Sequence, residues 1–265
     1  MKRDVSSVLT LDVTSTSDLV LSIACADVAA LGGTEELVVE LDGASLPVAE
    51  LQDRHGTRLH RVTTGPGAVK VRYSASLPGR ANPEPVEEAD VIRYLRPSRY
   101  CESDSLGATA NATFATQNGM ELLEGVGSWV GTHLAYVSGS SLPTDGAVRT
   151  LLAREGVCRD FAHLCVAMLR AKNVPARLAS VYAPGLSPMD FHAVCEAYVD
   201  GRWLVVDPTT LAPRESMVRI ATGRDAADTA FLTILSGTLT LESMSVMAVV
   251  DELPRDDVRA AVQLG

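Results

Sequence analysis

Covalent catalysis by a side chain needs a nucleophile, a base and a group that orients the base. One candidate nucleophile lies in "GVCRDFAHLCVAML", residues 156–169. Phe161, Leu164, Cys165 and Met168 recur at helical spacing and give one buried stripe. Cys158 falls outside that stripe, at the point where the helix begins. A thiol there feels the positive end of the helix dipole, which favours the thiolate. The unpaired N–H groups of the first turn can receive a developing oxyanion.

The base and its orienter come from "FHAVCEAYVDGRWLVVDP", residues 191–208. Asp200-Gly201 between two strand-like runs is a strong hairpin signal. With a two-residue turn there, Val199 pairs with Arg202 and Val194 lies opposite Asp207. Side chains alternate faces along a strand, so His192 and Asp207 project from the same face as diagonal neighbours. A carboxylate in that position holds the imidazole in one tautomer and stabilises its charged form. The ring's second nitrogen then needs a partner, and Cys158 is the candidate.

These elements need a frame. Residues 1–80 are rich in short β-branched runs, with Asp42-Gly43 and Gly65-Pro66-Gly67 as turns, which predicts an antiparallel β-sandwich. Residues 78–90, proline-rich and acidic, read as a linker. "SDSLGATANATFATQN" and "GMELLEGVGSWVGTHLAYV" read as helices preceding the cysteine helix. That helix is expected to end at Asn173 in the left-handed conformation, with Pro175 blocking its continuation. The fold class is therefore α+β: a β-rich region over 1–80 and a second domain over 81–265, with the cysteine helix packed on an antiparallel sheet.

"GVCRDFAH" followed by "DFHAVCEAYVDGRWLVVDPT", in the order Cys, His, Asp, resembles the transglutaminase-like superfamily, whose fold is related to papain-type cysteine proteases. "YLRPSRYCESD" (94–104), "SWVGTHLAYVSGSS" (128–141) and "VRIATGRDAAD" (218–228) are similar to segments of its bacterial branch. The resemblance implies that Cys158 is the nucleophile, His192 the general base and acid, and Asp207 the orienting carboxylate. It further implies a peptide or protein substrate. Calcium sites accompany the triad in the animal enzymes, but no calcium-loop pattern occurs here, and no cofactor is expected. An upstream tryptophan serves the oxyanion in those enzymes. Trp129 has a different spacing and a helical position, which favour core packing.

Other residues read as structural. Asp160 suits the first helical turn, and Arg159 can offset it and tune the thiol. His163, Cys165 and Cys195 lack the spacing of a zinc site, so no metal is expected. Arg224 in "GRDAAD" is expected to be ion-paired in a turn.

Composition sets the outer bounds. The chain has 265 residues, 46% of them hydrophobic, and a net charge of −10. That charge disfavours nucleic acid and anionic membranes as partners. Five cysteines at irregular positions suggest free thiols in a reducing cytoplasm. The N-terminal stretch has no apolar core of a signal peptide, and no run approaches the roughly 18 apolar residues of a membrane span. A homo-oligomer is compatible with these features. Three functions remain open: hydrolysis of an amide or peptide, transfer of a glutamine acyl group to an amine, and a non-catalytic binding module on the same fold.

Overall fold

In Lys2–Val13 (β1) the odd-numbered side chains are buried and the even-numbered ones face outward, the two-residue period of a half-buried strand. The computed structural model describes residues 1–26 and 28–265. Five strands form the first sheet, in the order β15–β1–β7–β3–β4. Beside β1 these are Thr34–Leu41 (β3), Ala44–Ser45 (β4), Gly67–Pro78 (β7) and Leu239–Val250 (β15). Four strands form the second, in the order β14–β2–β6–β5: Ser17–Leu21 (β2), Ala49–Gln52 (β5), Arg58–Thr64 (β6) and Leu232–Ser236 (β14). Leu9, Leu11, Val69 and Val71 pack with Leu19, Leu21 and Val62 in one core. The expected antiparallel sandwich is present.

Two features of the sandwich depart from a reading along the chain. Residues 232–250, sequence-distant from the first 80, hydrogen-bond to β2 and β1. Both ends of the chain therefore build the sandwich, because β1 and β2 each offer an edge that only a returning strand can cover. Asp42-Gly43 makes the expected hairpin turn, with both residues at positive φ. Gly65-Pro66-Gly67 instead carries the chain from one sheet to the other, since β6 and β7 do not pair.

Residues 80–87 are irregular but anchored. Glu84 lies 3.0 Å from Arg177 and 3.2 Å from His55. Beyond them come Glu88–Arg93 (α1), Gly107–Thr113 (α2), Gly119–His133 (α3), Ala147–Ala153 (α4), Cys158–Ala171 (α5) and Ala226–Thr229 (α6). The expected helix through 119–137 stops at His133. Ala135–Tyr136 (β8) instead pairs in parallel with Glu155–Gly156 (β9). Ala176–Tyr182 (β10), Phe191–Val199 (β11), Arg202–Val206 (β12) and Val218–Gly223 (β13) form an antiparallel sheet in the order β12–β11–β10–β13.

The helix α5 packs on β10 and β11, with α2, α3 and α4 against its other faces. Every residue from Asp160 to Arg170 is buried. A single apolar stripe thus describes only part of its surface: the stripe faces one layer, and Ala162, Val166 and Ala167 fit the close approach of the others. Asn173 is in the left-handed conformation, and the Val174 N–H closes the helix end onto the Leu169 carbonyl at 3.0 Å. Tyr182 and Ile220 of this sheet join the sandwich core. No helix among the described residues is long and apolar enough to cross a membrane.

Candidate active site

The mouth of α5 is built by Gly156 and Asp160. The Asp160 carboxylate accepts the Val157 N–H at 2.9 Å, which caps the first turn and opposes the helix dipole with a negative charge. A Cβ on Gly156 would stand 2.6 Å from Asp160 Cβ. Only glycine lets that carboxylate fold back, and this sets the helix start at Cys158. Cys158 is half-buried, whereas Cys25, Cys101, Cys165 and Cys195 are fully buried. The neighbouring Arg159 turns away from the thiol. Its guanidinium donates to Ser141 Oγ at 2.6 Å and to the Leu142 carbonyl at 2.7 Å, tying the loop after β8 to the helix.

The hairpin forms as the sequence predicts. Asp200 and Gly201 both have positive φ, Val199 pairs with Arg202, and Cys195 pairs with Val206. Pro208 follows directly, so the ladder ends there and Asp207 turns toward His192. His192 Nε2 and Asp207 Oδ2 are 2.8 Å apart, with both side chains almost wholly buried. The other Asp207 oxygen accepts the Thr209 N–H at 2.9 Å and the Thr209 hydroxyl at 2.6 Å. The carboxylate is therefore fixed on both sides.

Burial opposes charge on both partners, and the pairing outweighs it. Desolvation alone would lower the His192 pKa, yet the Asp207 charge and hydrogen bond, aided by Cys158, raise it to about 10. Asp207 is likewise penalised by burial, but His192 and Thr209 hold its carboxyl below the usual range. Nε2 is committed to Asp207, and Nδ1 has no hydrogen-bond partner. The Cys158 side chain is the remaining group that interacts with the ring. Cys158, His192 and Asp207 thus come together at one place in the fold, with the imidazole bonded to the carboxylate.

Trp129, by contrast, packs in the helical core, stacked on His133 at 4.4 Å and edge-on to Phe114 at 6.0 Å. His163, a buried residue of α5, accepts the Ala226 N–H on Nε2 at 3.1 Å. Burial, against the opposing charge of Asp225, pulls its pKa down to about 3. It is a neutral structural ring. Arg224 pairs with Asp228 at 2.9 Å, and Asp225 caps α6 through the Ala227 N–H at 2.9 Å. Among the described residues no group of three or more His, Cys, Asp or Glu side chains is arranged to hold a metal ion. A cavity of about 630 Å³ lies behind Asp207, between α3 and residues 258–261, but neither Cys158 nor His192 lines it.

Sequence reasoning missed two residues at the mouth. Tyr136 lies across the β8–β9 bridge from Gly156, and its hydroxyl interacts with both the Cys158 amide and the Cys158 thiol. Asp190 is close enough to feel the His192 charge, while burial raises its pKa. The β-prone "LAYV" after α3 is the only local hint of Tyr136.

Comparison with known proteins bears on this arrangement. A family model described as the transglutaminase-like superfamily matches residues 108–208. The fold also matches the crystal structure of a candidate cysteine protease from Cytophaga hutchinsonii, with 31% identity and a TM-score of 0.88 over 100% of this chain and 96% of that one. The chain belongs to the transglutaminase-like superfamily. It is a member of a group of cysteine hydrolases and acyltransferases. An uncharacterized protein of Mycobacterium tuberculosis is 38% identical over 125 residues, 41% of this chain and 40% of the relative. One of Mycobacterium leprae is 30% identical over 115 residues, 38% of this chain and 39% of the relative. The aligned part thus spans about 40% of the length of these mycobacterial relatives.

Proposed function

We propose that this protein hydrolyses an amide or peptide bond through a thioester on Cys158, with His192 as general base and acid and Asp207 as its orienter. The observation that carries the reading is the 2.8 Å bond from His192 Nε2 to Asp207, which leaves Nδ1 for the thiol. Cys158 gives its proton to Nδ1 and the thiolate attacks the carbonyl carbon. A C–S bond forms and the carbonyl π pair moves to oxygen. As the C–N bond breaks, Nδ1–H protonates the departing amine. Water then attacks the thioester, giving a proton to Nδ1 as the C–O bond forms, and the C–S bond breaks to release the acid. The thiolate–imidazolium or thiol–imidazole pair is restored. The carboxylate keeps the imidazolium favourable in a buried place throughout.

Release to water is favoured over transfer to an amine by the openness of the mouth. Cys158 is half-buried and Tyr136 is 48% exposed, whereas a transferase must keep water from its thioester. The test is incubation with dimethylcasein and a dansylated primary amine, with Cys158→Ala as control. New amino termini without dansyl incorporation are expected from the native protein alone. Dansyl incorporation would assign acyl transfer instead. Equal behaviour of the native and Cys158→Ala proteins would leave only a binding role.

A further inference from the structure

We infer that Tyr136 is a catalytic residue, its hydroxyl donating to the oxyanion of the tetrahedral intermediate alongside the Cys158 N–H. The inference rests on the acyl chemistry proposed for Cys158, and it concerns a role that a tryptophan on α3 does not fill, since Trp129 is packed against Phe114 and His133.

Placement is the first argument. Tyr136 is delivered by the strand that pairs with the segment leading into Cys158. The Ala135 N–H donates to the Arg154 carbonyl at 2.9 Å, and the Val137 N–H to the Gly156 carbonyl at 3.0 Å. Both hydrogen bonds bracket the tyrosine. Its ring then rests on Phe161, with centroids 5.9 Å apart, one turn into the helix that carries the thiol. The phenol and the thiol are thus fixed to one another through two short backbone links. Arg159, bonded to Ser141 and Leu142, secures the loop that follows.

The second argument is what the hydroxyl touches. It lies beside Cys158, close enough to interact with both its amide and its thiol. When a carbonyl carbon bonds to Sγ, its oxygen must find donors at about 3 Å. The backbone N–H at the start of α5 supplies one, and the hydroxyl beside it supplies another. In the intermediate the fixed Cys158 N–H and the rotatable Tyr136 O–H both point to the new oxyanion. The displaced π pair is then held by two donors while His192 Nδ1–H stands ready for the leaving group. Burial and the neighbouring Cys158 charge push the phenol up to about 12, so it keeps its proton at neutral pH and remains a donor.

The third argument is exposure. A tyrosine that serves packing alone hides its ring, but Tyr136 is 48% exposed at the mouth, where a substrate carbonyl arrives.

The experiment uses Tyr136→Phe, which keeps the ring on Phe161 and removes one oxygen. Two reactions of Cys158 are followed in the native and variant proteins. Acylation by p-nitrophenyl acetate builds an oxyanion and is read from the burst of p-nitrophenolate. Alkylation by iodoacetamide displaces iodide without one. Thermal melting checks that the variant is folded. Acylation is expected to slow roughly 100- to 1,000-fold, the effect of removing one oxyanion donor, with alkylation nearly unchanged. Acylation as fast as or faster than native would overturn the inference and make the tyrosine a structural group or a cap on the thiol. Equal slowing of both reactions would overturn it too, since the hydroxyl would then act on the thiol. A native protein that alkylates but never acylates would refute the acyl chemistry itself, and the role of Tyr136 with it.

Discussion

Replacing Asp207 by asparagine keeps the shape of the His192 contact and removes its charge. Asp207 is the main group that lifts the His192 pKa from 6.5 to about 10 against the cost of burial. At about 1.4 kcal/mol for each tenfold change in proton affinity, that is on the order of 5 kcal/mol in favour of the charged ring. In Asp207→Asn nothing of comparable strength opposes desolvation, so the His192 midpoint should fall to or below 6.5. The assay is an NMR pH titration of the histidine C2 protons, with His192→Gln identifying the signal among the five histidines. Stability should follow. A raised histidine pKa stabilises the fold fully below the unfolded imidazole pKa of about 6.5 and loses its effect as pH rises through about 10. The lowered Asp207 pKa stabilises above the unfolded carboxylate pKa of about 3.9 and is lost as pH falls through the folded value. The native protein should therefore exceed the variant most between about pH 4 and 6.5, by roughly 3–5 kcal/mol, and the gap should narrow on either side. Turnover should fall roughly 1,000- to 10,000-fold, as when an orienting carboxylate is neutralised in a serine protease. A His192 midpoint that stays put in Asp207→Asn would refute this account of the pair.

Iodoacetamide should modify Cys158 in the native protein well before the other four thiols, which are all fully buried; burial pushes Cys25 up to about 12 and raises Cys101 and Cys195 further from reactivity. Mass mapping of labelled peptides gives the order, and first labelling of any buried cysteine would contradict it. Gly156→Ala should cost about 1–3 kcal/mol, because the new Cβ meets Asp160 at 2.6 Å and displaces the cap. A denaturant melt equal to native would show that the helix mouth tolerates the contact.

Much of the site was legible because it is written in local signals. Asp200-Gly201 determines a hairpin and its register without help from the rest of the chain, because positive φ at two consecutive positions suits few other residues. Register and strand alternation then bring His192 and Asp207 to one face. Asn173 and Pro175 end α5 by the same kind of local rule, and the glycine before Cys158 marks where the helix opens. The short β-branched runs that become β1 and β7 likewise announce strands, and the two-residue burial period of both follows from them.

What sequence patterns did not contain is the meeting of distant segments. Strand periodicity says which face of β1 is buried, yet not that β15, more than 200 residues away, covers its edge; sheet hydrogen bonds join backbone groups and leave little trace in side-chain types. The all-round burial of α5 depends on three further helices and a sheet arriving from separate stretches. Tyr136 illustrates the limit most clearly. Its two-residue strand is too short to have a period, and it is held by a parallel bridge to Gly156 and a ring contact with Phe161. The sequence by itself determined the thiol, the imidazole, the carboxylate and the turn that pairs the last two, since each depends on neighbours in the chain. Only the tertiary structure shows how the mouth of α5 lies against the His192–Asp207 pair and that Tyr136 lies beside Cys158, since both depend on how separately folded segments pack.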